Sequence, residues 1–249
     1  MSETYWHLSK CSLFGKLQPD EIRSLESAAT VRKFKRSETV YLPQDTADNV
    51  LLQATGRTKI CHMTPDGKQS ILMFIEPTEI FGELSLMGQQ FREEYTEATE
   101  ISEVIAIPRA TLLNMMETHP QLLLEVTRLI GQRRKRVERR LRNLLFHSNR
   151  ERLIFLLVEL LEQYGQKEED AVVLKIKLSH QEMANIIGST RETVTVVLGD
   201  LQKEGVLEIA RRRVRILDMT KLAAAVNSKA IHLPIDDTLN TPSQITTGV

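Results

Sequence analysis

The sequence predicts an α+β fold in three parts: a β-sandwich or barrel, a long helix with an apolar seam, and a helix-turn-helix unit that ends in a basic hairpin. Three observations carry this. Short segments rich in Val, Ile and Leu, broken by turn signals, fill residues 30–108. After Pro120 an apolar repeat of seven residues sets in. Residues 177–216, KLSHQEMANIIGSTRETVTVVLGDLQKEGVLEIARRRVRI, read as two short capped helices around a glycine, followed by a hairpin.

The elements follow in order. PDEIRSLESAA is predicted as a short helix, with Pro19 at its start and acids in its first turn. ETVYL, NVLLQ, RTKICHM, KQSILMFI and SEVIAI are predicted strands, separated by Pro43-Gln44-Asp45, Gly56 and Pro65-Asp66-Gly67. Strands this short and this closely spaced indicate a sandwich or barrel. Leu123, Ile130, Val137 and Leu144 then recur every seven residues, with Val126 three after the first. Such a stripe suits a partner helix. Arg133, Arg134, Lys135, Arg136, Arg139, Arg140 and Arg142 flank it and leave only a narrow apolar face to bury, which favours a homodimer. A second helix is predicted from Arg150 to about Tyr164. GQKEED reads as a polar joint, VVLKIKL as a strand and MTKLAAAVNSK as a short helix. The Thr/Pro-rich end after it is expected to be mobile.

In the last third, Ser179 with Glu182 fits a capping box, and Ser189 with Glu192 repeats it after Gly188. Met183, Ile186 and Ile187 on the first helix, and Val194, Val197, Leu198 and Leu201 on the second, supply facing apolar sides. Two helices joined in this way form a helix-turn-helix. Arg191, Glu192 and Thr195 then point away from the core at the N-terminal end of the second helix, the end that meets base edges in the major groove. Arginine can donate twice to guanine, and glutamate can accept from cytosine N4. Arg211, Arg212 and Arg213 sit on the hairpin turn, where their charge suits phosphate contact. The partner predicted is therefore double-stranded DNA, read by a symmetric dimer at a near-palindromic site.

Composition narrows the remaining choices. The 249 residues carry 33 basic and 33 acidic side chains, so charge must be placed rather than abundant. Cys11 and Cys61 are too few for a disulfide scaffold or a Cys-rich metal site, and no metal is expected. The opening MSETYWHLSK has neither a basic start nor an apolar run, and Leu153–Leu161 is too short to span a bilayer. The expectation is a cytoplasmic protein without a membrane partner. There is no GxxxxGK loop, HExxH pair or GxSxG elbow, and the six histidines are scattered, so no enzyme is expected.

In this order the features resemble the cyclic-AMP receptor protein/FNR family of bacterial transcription regulators, over about residues 8–218. The resemblance rests on YLPQDTADNVLLQATGRTKI, FGELSLMG, the long helix and LSHQEMANIIGSTRETVTVVLGDLQKEGVL. The last stretch looks especially close to the cyanobacterial nitrogen regulators of the NtcA type. The resemblance implies a jelly-roll sensor domain (8–118), a dimerisation helix (119–147), a winged helix-turn-helix (148–220) and a C-terminal extension (221–249). It implies an activator or repressor that can also meet RNA polymerase. Arg191 and Glu192 match the family's base readers, and Thr195 stands where one subfamily has serine. Val196 replaces a further base-contacting arginine and offers only a methyl contact to thymine. Ser179, His180, Ser189 and Thr190 are expected, with the hairpin arginines, on the DNA backbone.

On the sensor side the resemblance points to Gly82, Glu83, Leu84, Arg92, Val137 and Glu138. Cyclic-AMP-binding members grip the phosphate with an Arg-Ser pair and the adenine with a Thr-Ser pair. Here Glu93 takes the first serine's place, and Val137 and Glu138 take the places of the second pair. Carboxylates beside a phosphodiester repel it and are costly to desolvate. The expected effector is therefore something other than cyclic AMP, or none at all, and no cofactor is assigned. The alternatives are a cyclic-nucleotide- or 2-oxoglutarate-responsive regulator, the latter anion held by Arg92 and an arginine of the long helix, or a ligand-binding adaptor that does not bind DNA.

Overall fold

The computed structural model describes residues 2–168, 170–210, 213–226 and 233. The chain divides into two compact units, Met1–Arg139 and Arg140–Val249.

The first unit opens with α1 (Glu3–Lys10) and α2 (Pro19–Ala28). Pro19 starts α2, and the Gln18 amide donates to Glu21 Oε2 at 2.7 Å to close a capping box. The strands β1 (Thr30–Phe34), β2 (Thr39–Tyr41), β3 (Asn49–Thr55), β4 (Thr58–Met63), β5 (Gln69–Ile75), β6 (Ile80–Phe81), β7 (Tyr95–Ala98) and β8 (Ser102–Pro108) follow, and then α3 (Arg109–Thr118) and α4 (Pro120–Phe146), whose residues from Arg140 on belong to the second unit. They form two antiparallel sheets, ordered β1-β8-β3-β6 and β2-β7-β4-β5.

The residues of β3 and β8 explain the layering. Leu51 pairs with Ala106 and Leu52 with Ile105. Leu51, Val104 and Ala106 join Phe34, Tyr41, Ile60, Ile75 and Phe81 in a core drawn from both sheets. On the opposite face, Val50, Leu52, Ile105 and Ile107 pack under Leu8, Phe14, Leu25, Leu112, Leu122 and Val126 from the helices. Both strands are thus buried on both faces, which is why their sequences are almost continuously apolar.

Val126 departs from the expected seam. It is 0% exposed, packed in the helix-and-sheet core of its own unit. It lies four residues after the buried Leu122, about 40° from it round the helix, and joins that side against the sheet. Ile130 also leans on this core, whereas Leu123, Val137, Leu141 and Leu144 are exposed along α4.

The second unit holds α5 (Asn149–Tyr164), β9 (Gly165–Glu168), β10 (Ala171–Leu174), α6 (His180–Ile187), α7 (Arg191–Lys203), β11 (Leu207–Ala210), β12 (Arg213–Ile216) and α8 (Met219–Ala224). Its sheet runs β11-β12-β10-β9. The segment expected as a polar joint is in part a strand. Gly165–Glu168 pairs antiparallel with Ala171–Leu174, and as an edge strand it tolerates polar residues. Beyond α8 the expected C-terminal extension lies almost wholly outside the described residues.

Candidate functional site

The helix expected to read DNA is placed by caps and a turn. Ser179 Oγ accepts from the Glu182 amide at 3.2 Å, and Glu182 Oε2 accepts from the Ser179 amide at 2.8 Å, so α6 starts where expected. Met183, Ala184, Ile186 and Ile187 are buried beneath it. Gly188 ends it with φ 65°, a left-handed conformation that only glycine adopts without strain. The Ser189 amide then donates back to the Ala184 carbonyl at 3.0 Å. That bond places Ser189 in the turn and moves the next cap one residue on from the expected position. Thr190 Oγ1 accepts from the Thr193 amide at 3.2 Å, and α7 begins at Arg191.

Val194, Leu198 and Leu201 hold the inner face of α7 in the core. Arg191, Glu192, Thr195 and Val196 therefore stand together on the exposed face, Val196 62% exposed. The Glu192 carboxyl is held below the usual carboxylate range, first by its own backbone amide and then by the Thr190 hydroxyl, so it is an ionised acceptor at neutral pH. Thr195 Oγ1 donates to the Arg191 carbonyl at 2.9 Å and also lies 2.8 Å from His180 Nδ1. A cleft of about 420 Å³ opens beside these residues, lined by Ser179, His180, Gln181 and Arg191 and by Ile209 and Val214 of the β11–β12 hairpin. Arg213 is exposed on that hairpin, whereas Arg211 and Arg212 lie outside the described residues. Arg215 pairs with Glu208 at 3.6 Å.

The sensor residues are arranged differently from the sequence expectation. Gly82 adopts φ 69° and leads into a turn of 3-10 helix, Glu83–Met87, on which Leu84 is partly exposed. Arg92, only 3% exposed, turns inward. Its guanidinium donates to the Gly82 carbonyl at 3.0 Å and to the Asn49 carbonyl, and it lies 4.8 Å over the Tyr41 ring. A Cβ at Gly82 would sit 2.4 Å from Arg92 Nη1, so the glycine is what admits the guanidinium. Glu83, 5% exposed, pairs with Arg133 of α4, which also donates to the Ile80 carbonyl at 2.6 Å. Val137 is 55% exposed, and Glu138 is exposed and paired with Arg134 at 2.8 Å. The structure thus brings Gly82 and Arg92 together and joins Glu83 to Arg133. Arg133 stood in the sequence only as one of a basic flank; its place four residues before Val137, on the same side of a helix, was the one available signal.

Comparison with known proteins agrees with both halves. Residues 31–119 match the cyclic nucleotide-binding domain family, and residues 151–225 match the Crp-like helix-turn-helix domain family. A CRP-like cAMP-activated global transcriptional regulator of Mycobacterium tuberculosis is 28% identical over 87% of this chain and 96% of its own length. A global nitrogen regulator of Synechocystis sp. is 28% identical over 75% of this chain and 84% of its own. A solved transcriptional regulator from Thermus thermophilus is 27% identical, with a TM-score of 0.66 over 81% of this chain and 100% of that one. With two sensor-type sheets, a long helix and a capped helix-turn-helix in this order, the chain belongs to the CRP/FNR family of transcription regulators.

Proposed function

We propose that this chain is a homodimeric, sequence-specific DNA-binding regulator, acting as activator, repressor or both. The observation that carries this is the row Arg191, Glu192, Thr195 and Val196, exposed together on a helix whose other face is buried. It offers a bidentate donor, an ionised acceptor, a hydroxyl and a methyl surface to base edges. Arg213 and the positive end of α7 add phosphate affinity without sequence information. The exposed stripe Leu123, Val137, Leu141 and Leu144 is the surface for a second copy, and two recognition helices one DNA turn apart read a near-palindrome. Residues 8–118 act as the sensor-like domain, 119–147 as the dimer helix, 148–220 as the reading domain and 221–249 as an extension. RNA polymerase is the further partner if the chain activates. The reading places it in the cytoplasm; among the described residues no helix is long and apolar enough to cross a membrane. The family is one of regulators, not enzymes.

Control by cyclic AMP is disfavoured. Arg92 and Glu83, the groups that would meet a phosphate and a ribose, are already bonded within the protein. Relatives of equal identity carry the names of a cAMP-activated and of a nitrogen regulator, so likeness does not choose an effector. The reading is an effector other than cyclic AMP, or constitutive activity. Binding-site selection with the wild-type chain and with Arg191→Ala tests the DNA reading. The substitution is expected to relax one position of each half-site by about 1–3 kcal/mol. An unchanged site profile rejects α7 as the reader. Calorimetry against cyclic AMP and 2-oxoglutarate tests the sensor, and tight cyclic-AMP binding rejects the second part.

A further inference from the structure

A hydrogen bond joins α6 to α7. Thr195 Oγ1 lies 2.9 Å from the Arg191 carbonyl and 2.8 Å from His180 Nδ1. A hydroxyl has one hydrogen and two lone pairs, and a carbonyl can only accept. The hydroxyl hydrogen must therefore point at the Arg191 carbonyl, the back-bond to residue i−4 that helical threonines make. Were it turned to the imidazole instead, two oxygens would face each other at 2.9 Å with no hydrogen between them. With the hydroxyl hydrogen on the carbonyl, His180 is the donor in the second contact through a hydrogen on Nδ1, as either the Nδ1–H tautomer or the imidazolium supplies.

With its hydrogen turned into the helix and one lone pair occupied by His180, Thr195 has a single lone pair left, on the exposed face of α7. We infer that His180 is a specificity-determining residue: through its Nδ1–H it holds Thr195 as an acceptor-only reader, favouring a base that presents an exocyclic amino group in the major groove. Such a base is adenine, through N6, or cytosine, through N4. Guanine and thymine present acceptors at the corresponding atoms, and a lone pair would meet a lone pair. A free threonine hydroxyl has no such bias, because it can donate or accept. The inference rests on the reading of α7 as the helix that meets DNA. It adds a position outside the exposed row: His180 acts from the neighbouring helix, fifteen residues away in sequence.

Two measurements on the full chain separate the inference from the reading it rests on. Long-range proton–nitrogen NMR of the histidine rings without DNA, with His180 assigned by its loss in His180→Phe, should show the hydrogen on Nδ1. A hydrogen on Nε2 with a bare Nδ1 overturns the inference even if DNA binds. Binding-site selection is then run on the wild-type, Thr195→Val, His180→Phe and His180→Asn chains. The wild type should enrich adenine or cytosine at one position per half-site, by roughly five- to tenfold over guanine or thymine. Thr195→Val should lose that preference and keep the positions read by Arg191 and Glu192. His180→Phe, an aromatic ring without the donor, should lose it too. His180→Asn, whose amide nitrogen can replace Nδ1–H, should retain it, a distinction that mere packing would not make. Enrichment of guanine or thymine at the position that Thr195→Val relaxes, or an unaltered profile in His180→Phe, overturns the inference. A wild-type chain that selects no site rejects the DNA reading itself, and the role of His180 with it.

Discussion

Removing Arg133 should unsettle the first unit more than any exposed substitution on α4. Arg133→Met keeps the length of the side chain but strips the guanidinium from Glu83, which is 5% exposed, and from the Ile80 carbonyl. Breaking a buried ion pair from one side costs about 3–5 kcal/mol, because the remaining charge stays desolvated. Glu83→Gln leaves Arg133 a neutral acceptor and should cost less, about 1–3 kcal/mol. The double variant removes both charges, so its cost should fall short of the sum by roughly 1–3 kcal/mol. Trp6 provides the probe. It is the chain's one tryptophan, and it lies on α1 within the same unit. Its fluorescence through a urea titration therefore follows that unit alone, without assuming that both units melt together. With a slope near 2 kcal/mol per molar urea, the Arg133→Met midpoint should fall by roughly 1.5–2.5 M. A variant within about 0.5 kcal/mol of the wild type would show that the pair does not hold Glu83 in solution.

Three further outcomes are open to measurement. Lysine at both Val137 and Leu141 should leave the fold intact and give a monomer in sedimentation velocity, since both side chains are exposed; an unchanged dimer would move the interface elsewhere. Gly82→Ala should destabilise the first unit by more than about 1 kcal/mol, because the site needs φ 69° and its Cβ would meet Arg92 at 2.4 Å; a neutral outcome in the same Trp6 titration contradicts the packing described. Burial pushes the Cys11 thiol from 9.0 up to about 11, so between those pH values the unfolded chain releases a proton that the folded one keeps. Stability contributed below pH 9 is then lost as pH rises toward 11. That slope should flatten in Cys11→Ala, and persistence of the full slope would assign it to another group.

What the sequence showed, and what it hid, follows from where each side chain spends its contacts. Strands buried on one or both faces, such as Asn49–Thr55 and Ser102–Pro108, announce themselves by their Val, Ile and Leu. Thr30–Phe34 does not, because four of its five residues are exposed, and Gly165–Glu168 does not, because it is a polar edge. On α7 the caps set the phase, and a helix with Val194, Leu198 and Leu201 inside must put Arg191, Glu192 and Thr195 outside. The cap itself fell one residue later than the Ser-x-x-Glu spacing suggested, because after the left-handed Gly188 the Ser189 amide donates back to the Ala184 carbonyl. Val126 was misassigned to the seam since apolar spacing cannot say which of two faces a residue joins. Glu83 and Arg133 lie fifty residues apart, and no local pattern links them.

The first unit keeps residue types that the family uses for ligands but gives them structural work. An anion approaching Arg92 would have to draw its guanidinium off the Gly82 and Asn49 carbonyls and away from the Tyr41 ring. Each hydrogen bond from the charged guanidinium is worth about 1.5–3 kcal/mol, and on its loss the Gly82 carbonyl keeps only its Ser85 donors. A ligand hydroxyl approaching Glu83 competes in the same way with Arg133, a charged donor already in place. The two costs add for any ligand that needs both groups, and a phosphodiester joined to a ribose is such a ligand. For an effector that needs neither, the costs vanish, and the pair Glu83–Arg133 continues to tie the turn after Gly82 to α4. Under the proposed function the same side chains act against one class of effector, and without any effector they link the turn after Gly82 to α4.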